Sequence, residues 1–332
     1  MKQYIVRNIV GKQGDKYKQS DKYKQSDKYK HEYRDKRGNV LCKKDYKHLI
    51  EHIYIAPAYD NVKINLNQRD KVLAIGTDDR GRKQYTYNPD YIQAAHENKY
   101  KKLIEFGNSY KCIINRINKD MISYDDSKKK QIAMVLKMID ECNFRVGNER
   151  YTKENKSFGV CTLENQHVKV GKGGVIVDFI GKEGVRNTCK VKNKRLIKNL
   201  RTRKKQLGKK DRIFSYRSNA KYYNISAGDV NRYLKQFGDF SAKNFRTWTA
   251  NTDLIKELQK PCQNNKKHLT ESIKKVASKM HHTPGICKKN YINDELMDMY
   301  KNNNEQFQRY FRSTTKEAIS DEFIKFLKDV YR

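Results

Sequence analysis

No run of apolar residues in this chain approaches the roughly 20 that a membrane-crossing helix needs. No basic amphipathic segment reads as a surface anchor. The opening residues, Met1-Lys-Gln-Tyr-Ile-Val-Arg7, lack the apolar centre of a secretory signal. These absences argue against a membrane partner and lead us to expect an intracellular protein. Cysteines are few and spread out: Cys42, Cys112, Cys142, Cys161, Cys189, Cys262 and Cys287. No two are spaced as a CxxC knuckle, and their number is odd, so the expectation is reduced thiols and no zinc site. There is no Gly-x-x-x-x-Gly-Lys-Ser/Thr loop to cradle a nucleotide, and no carboxylate or Cys/His cluster with metal-ligand spacing. Asp78-Asp79 and Asp125-Asp126 read as turn residues. No metal and no cofactor are therefore expected. Acidic residues are scarce as well. Against 73 Lys and Arg there are 38 Asp and Glu, a formal net charge of +35. Such an excess points to a polyanionic partner, nucleic acid first, because many phosphate contacts need many cations.

What is present suffices for packed cores: hydrophobic content is only 36%, but it includes 23 Tyr and 12 Phe. The 332 residues leave room for about two domains. Residues 15–30 repeat Asp-Lys-Tyr-Lys-Gln-Ser; with no aliphatic residue to bury, this reads as a solvated insertion. Over 38–88 the pattern is of short strands. Val62-Lys-Ile-Asn-Leu66 alternates, Lys71-Val-Leu-Ala-Ile75 ends at the turn cluster Gly76 to Gly81, and Arg82-Lys-Gln-Tyr-Thr-Tyr87 follows, bounded by Asn88-Pro89. From about 90 the period becomes helical, with Ile132, Val135, Leu136 and Ile139 on one face of a helix near 127–142. Strands are expected at Val160 to Leu163, His167 to Val170, Val175 to Ile180 and Val185 to Val191. Helices return near 227–238, 241–257, 268–280 and 315–330, the last with Ile319, Phe323, Leu327 and Val330 on one face. The expected fold class is α+β: a small, mostly β N-terminal domain over 1–88, a hinge at 89–100, and a larger, mainly α catalytic domain with a small sheet over 101–332.

The most informative stretch is His282-Thr-Pro-Gly-Ile-Cys-Lys-Lys-Asn-Tyr291. A phenol can attack a phosphodiester and hold the phosphate covalently, provided that cations and a proton donor converge on it. Lys288 stands near the phenol. Arg145 follows the helix ending near Cys142, Lys182 lies in the tight turn Phe179-Ile-Gly-Lys-Glu-Gly184, and Arg246 sits early in a helix behind a plausible Ser241 cap. Taken singly, each reads as an ordinary surface cation, a packed histidine or a packing tyrosine.

Together, Arg145 in FRVGNERY, Lys182 in FIGK, Arg246 in KNFRTWTAN and His282/Tyr291 in HHTPGICKKNY resemble the type IB DNA topoisomerases, and among them the compact poxvirus-type enzymes. The resemblance runs from roughly residue 60 to 295 and includes Gly81-Arg-Lys-Gln-Tyr-Thr-Tyr87. It implies ATP-independent relaxation of supercoiled double-stranded DNA by a monomer shaped as a C-shaped clamp. Tyr291 would form a 3′-phosphotyrosyl link, Arg145 and Arg246 would hold the phosphate oxygens, His282 would donate to a non-bridging oxygen, and Lys182 would be general acid to the leaving 5′ oxygen. Arg82, Gln84, Tyr85 and Tyr87 would face DNA from the N-terminal domain, Tyr151, Lys243 and Asn251 would occupy supporting positions near the scissile phosphate, and Lys288 would bind DNA. The chain departs from the family over residues 1–58. Glu183 follows the lysine where an aspartate often stands, and the doubled His281-His282 leaves the histidine to be fixed by its spacing to Tyr291. A tyrosine recombinase shares the Arg-Lys-Arg-His/Tyr logic but typically carries His-x-x-Arg where this chain has Lys243. A basic DNA-packaging protein would fit the charge without requiring the motifs.

Overall fold

The computed structural model describes residues 3–12, 29–122, 127–261 and 265–331. They form two compact units that divide between Asn98 and Lys99. In the first, strands β1 (Tyr4–Lys12) and β2 (Tyr29–Arg34) precede helix α1 (Lys43–Ile50), and β3 (Asp60–Asn65), β4 (Val72–Thr77) and β5 (Lys83–Tyr87) follow. The five strands make one antiparallel sheet in the order β2-β1-β3-β4-β5. The alternation read in the sequence over 60–87 is what builds it: Val62, Ile64 and Ala74 point inward onto Ile5 of β1 and Leu49 of α1. β1 and β2 were not foreseen. The six-residue repeat falls outside the described residues except for Tyr29 and Lys30, which open β2.

The stretch expected as a hinge is helical instead. Pro89 begins α2 (Pro89–Asp120), a helix of 32 residues that runs on past the boundary between the units. Proline is tolerated there because a helix's first N–H has no intrahelical partner, and the Asn88 side chain accepts from the Asp90 N–H at 2.8 Å.

The second unit is mainly helical. It continues with α3 (Lys128–Cys142), α4 (Glu149–Asn155), the strands β6 (Val168–Gly171), β7 (Gly174–Ile180) and β8 (Arg186–Val191), and α5 (Lys194–Gln206). A hairpin of β9 (Ser215–Ser218) and β10 (Lys221–Asn224) precedes α6 (Ala227–Leu234) and α7 (Ala242–Leu258). Then come α8 (Asn265–Lys279), α9 (Pro284–Asn290), α10 (Asp294–Asn302), α11 (Asn304–Tyr310) and α12 (Lys316–Val330). β6, β7 and β8 form a three-stranded antiparallel sheet. The expected strand at Val160 to Leu163 is a turn of 3-10 helix. The Val160 and Cys161 N–H groups donate to the Arg145 and Val146 carbonyls at 2.9 and 2.7 Å, and these bonds to a distant loop override the segment's β-type composition.

α3 and α7 are buried around most of their circumference, which marks core helices rather than surface ones. α2 packs against α7 through Gly107, where an added Cβ would lie 2.5 Å from the Trp248 ring. In α12, Ile319, Phe323 and Leu327 are buried as the periodicity indicated, whereas Val330 at the helix end is exposed. One cysteine expectation also changes. Cys142 and Cys189 form a disulfide across 47 residues of sequence, with Cα atoms 5.7 Å apart; the packing of α3 on β8 brings together residues that no motif links. Cys42, Cys112, Cys161 and Cys287 are free thiols, and Cys262 lies outside the described residues.

Candidate active site

Three separate devices carry side chains to one place. α3 is capped at its start by Ser127, which accepts from the Lys130 N–H, and stopped at its end by Asn143 in the left-handed conformation with φ 55°. Beyond that stop the backbone turns and presents Arg145. Gly147 and Gly159 fix this loop: φ at Gly147 is +87°, and an added Cβ on Gly159 would fall 2.4 Å from the Gly147 Cα. Only glycine at both positions permits so close a crossing.

α7 begins with Ser241, whose N–H donates to the Asn244 side chain at 2.9 Å. One turn further in, Arg246 is 3% exposed. Its Nη1 donates to the Asn143 carbonyl and its Nη2 to the Met280 carbonyl at 3.1 Å. The guanidinium therefore bridges the end of α3 to the segment after α8. The third device is α9, with Thr283 as cap and Pro284 at the first helical position. The helix stops at Tyr291, whose N–H donates to the Cys287 carbonyl at 3.0 Å.

His282 is the meeting point. Its Nε2 accepts from Arg246 Nη2 at 2.8 Å. Arg145 Nη2 stands 3.1 Å from Nε2 and 3.3 Å from Nδ1, nearly equidistant from both nitrogens, so it lies over the ring rather than along a lone pair. The Tyr291 ring lies 5.0 Å from the imidazole, centroid to centroid, and the Arg246 guanidinium carbon is 5.2 Å from the centre of the phenol. The doubled histidine is resolved by geometry. His281, with φ 55°, turns away, and its Nε2 lies 3.1 Å from the Cys142 carbonyl.

The electrostatics suit an anion. Among the described residues no carboxylate pairs with Arg145 or Arg246, and the buried Arg246 Nε has no hydrogen-bond partner. Burying unpaired cations is costly, and an anion would offset that cost. Burial and the crowding of cations lower the pKa values of Arg145 and His282. Burial lowers the Arg145 pKa, and Arg246 lowers it further. Burial lowers that of His282 to about 3, with Arg145, Arg246, His281 and Lys182 adding repulsion. His282 is thus neutral at physiological pH.

Lys182 occupies the turn between β7 and β8, exposed, followed by Glu183 at φ 60°. It makes no hydrogen bond to the other four residues; its charge reaches His282 through space. Gly181, just before it, sits tightly against Asn187: an added Cβ would lie 2.5 Å from Asn187 Nδ2, and that amide would have to shift.

The proposed DNA-facing residues divide. Lys243, Lys288 and Tyr151 are exposed. In the first unit Tyr85, 48% exposed, and Tyr87 share one face of β5 with their rings 6.2 Å apart. Gln84 lies on the opposite face, because strand side chains alternate. It is half-buried, and its amide donates to Asp78 at 2.8 Å, beside Arg82, whose Nε donates to the same carboxylate at 2.8 Å. Asn251 is not a surface residue. It is 0% exposed, and its Nδ2 donates to the Tyr291 and Thr247 carbonyls, both at 2.8 Å, while its Oδ1 accepts from the Asn293 N–H at 2.8 Å. Asn251 clamps the backbone just after the phenol-bearing residue.

Two supports escaped the sequence. Tyr100 of α2 donates its hydroxyl to the Ile292 carbonyl at 2.9 Å, and nothing local marks it. Asn293 caps α10 through the Leu296 N–H; Asn-Asp-Glu before an apolar residue is a start signal that could have revealed it.

The chain is similar to known proteins over most of its length. Residues 88–318 match the family of the eukaryotic DNA topoisomerase I catalytic core. The chain is 33% identical over 277 residues to the DNA topoisomerase 1B of Acanthamoeba polyphaga mimivirus, covering 78% of this chain and 81% of that protein. To the DNA topoisomerase 1B of Vaccinia virus (strain Copenhagen) it is 27% identical over 267 residues, 78% of this chain and 80% of the relative. To the DNA topoisomerase 1 of Rabbit fibroma virus (strain Kasza) it is 24% identical over 314 residues, 90% of this chain and 94% of the relative. With the family matched over most of the second unit, and with a relative 33% identical over 78% of the chain, the chain belongs to the type IB DNA topoisomerases, akin to their compact viral members, and is a DNA isomerase.

Proposed function

We propose that this topoisomerase relaxes supercoiled duplex DNA by attack of the Tyr291 hydroxyl on a backbone phosphate, forming a 3′-phosphotyrosyl link and releasing a 5′-hydroxyl strand. Arg145 and Arg246 bind the non-bridging oxygens in charge-assisted hydrogen bonds. The phosphate takes the guanidinium N–H groups that now crowd His282, leaving the imidazole to donate to one oxygen. Lys182 swings from its hairpin tip to protonate the departing 5′ oxygen. The phosphodiester energy stays in the phosphotyrosine, so the strand rejoins after swivelling without ATP.

The single observation that supports this reading is the convergence of two acid-free guanidiniums and a phenol on His282. On the same reading Arg82, Tyr85, Tyr87, Tyr151, Lys243 and Lys288 meet DNA, and Gln84 joins them only by releasing Asp78. The two units close on the duplex as a C-shaped clamp, a monomer suffices, and the enzyme works inside the cell. Substituting Tyr291→Phe tests it. The variant is expected to bind DNA nearly as well as the parent and to form no covalent adduct. Relaxation of a plasmid by the variant would remove Tyr291 as nucleophile.

A further inference from the structure

Neither half of the Cys142–Cys189 disulfide touches the reacting groups, yet each half belongs to an element next to the loop or turn that carries one of the cations. Cys142 is the last residue of α3, three positions before Arg145, and its carbonyl faces His281 Nε2 at 3.1 Å. Cys189 lies on β8, opposite Val177 of β7, and the turn joining those two strands holds Lys182. From Cys189 to Arg186, where the ladder ends at the turn, is three residues, about 10 Å of strand. The bond is thus a fixed point at the base of a short lever whose tip is the lysine. A second contact crosses the same seam: the Phe144 and Phe179 rings meet edge to face at 4.8 Å. That apolar contact can slide, whereas the disulfide cannot.

We propose that Cys142 and Cys189 are positioning residues for strand cleavage: their disulfide holds the Lys182 hairpin in register with Arg145, and its reduction slows the step that needs a proton on the leaving 5′ oxygen. The proposal rests on the acid role given to Lys182 above. The seam is open to chemistry on one side, because Cys189 is only partly buried while Cys142 is buried. A dithiol reductant attacks the Cys189 sulfur as thiolate, and the S–S electron pair leaves with the Cys142 sulfur. The second thiol of the reductant then displaces Cys189. Both cysteines end as thiols with protons from water, and the reductant, having given two electrons, ends as a cyclic disulfide. The other described cysteines are already free thiols, so among the described residues a dithiol has this one target.

The experiment compares full-length enzyme before and after dithiol treatment in single-turnover cleavage. Two duplexes are used, identical except for oxygen or sulfur at the 5′ leaving position. Peptide mapping without reductant should find the Cys142 and Cys189 peptides joined. Reduction is expected to slow cleavage of the oxygen duplex at least tenfold, on the scale that about 1 Å of misplacement produces. It should leave cleavage of the sulfur duplex and the affinity for DNA unchanged, because sulfur leaves without an acid. The Cys142→Ser/Cys189→Ser variant should match the reduced enzyme and ignore reductant; if it folds poorly, the comparison within the parent protein decides alone. Absence of the joined peptide, equal rates before and after reduction, or equal slowing on both duplexes would each overturn the proposal. Failure of the Lys182 assignment would appear separately, as a Lys182→Ala variant that sulfur does not rescue.

Discussion

His282 should make this protein's stability depend on pH in a way that a single substitution removes. The imidazole lies between two guanidiniums, and its pKa falls from 6.5 to about 3, burial first and the neighbouring cations next. Below pH 6.5 the unfolded chain binds a proton at this residue that the folded chain refuses until about pH 3. The contribution is therefore complete above pH 6.5 and shrinks as the pH falls through that window. One pKa unit is worth about 1.4 kcal/mol, so the ceiling is about 5 kcal/mol. The ring is partly open to solvent, and screening reduces the whole effect to roughly 2 kcal/mol. Of that, about 1 kcal/mol should be lost between pH 7.5 and 4.5. Urea denaturation of the parent and of His282→Asn at both pH values isolates it. His31, His167 and His281 also have lowered pKa values, but they act in both proteins and cancel in the comparison. The parent should lose about 1 kcal/mol more than the variant on acidification. Parallel losses, or an NMR titration of His282 near pH 6.5, would refute the crowding of this ring by unpaired cations. A duplex seated in the site should narrow the gap, since its phosphate neutralises the charges that repel the proton.

Further outcomes follow from the same geometry. Lys182→Ala should slow cleavage by about 10² to 10⁴, the usual worth of general acid catalysis, and recover with a 5′-sulfur leaving group; no recovery would end its acid role. Asn251→Ala would strip partners from the buried Tyr291 carbonyl and Asn293 N–H, costing roughly 2–4 kcal/mol in urea unfolding and slowing cleavage without weakening DNA binding. Gly107→Ala would drive a methyl against Trp248 and Ile324, costing about 1–3 kcal/mol; an unchanged melting temperature would mean that α2 and α7 separate freely. Reducing the disulfide reopens a loop spanning 47 residues and should lower the unfolding free energy by about 2–4 kcal/mol, measurable by urea denaturation with and without dithiol.

What the sequence disclosed was whatever depends on neighbours in the chain. The period-2 runs over 60–87 and the apolar face of α3 became the elements they indicated. Local patterning failed where a distant contact decided. Val160 to Thr162 has strand composition but is bonded to the Arg145 loop. β2, Tyr-Lys-His-Glu-Tyr-Arg, carries no aliphatic residue and is held by β1 beside it. The alternation rule itself could have separated Gln84 from Tyr85 and Tyr87. The motif residues Arg145, Arg246, His282 and Tyr291 were legible as types, and the structure adds that they touch. It also places Asn251 behind the phenol instead of against DNA, a distinction of burial that a motif does not encode. Tyr100 and Cys189 gave no signal, since each acts on a partner far away in sequence.

The bonds to the two carbonyls that follow the Tyr291 side chain take on a mechanical meaning once DNA hangs from the phenol in the proposed intermediate. A strand rotating about its partner pulls on the side chain, and the pull passes into the main chain at the end of α9. There the Tyr291 carbonyl is fastened to Asn251 of α7 and the next carbonyl, of Ile292, to Tyr100 of α2. The load would be shared between two long helices rather than borne by one short helix of seven residues. Torque would then be least able to shift the phosphotyrosine relative to the arginines at the moment the broken strand returns to be sealed.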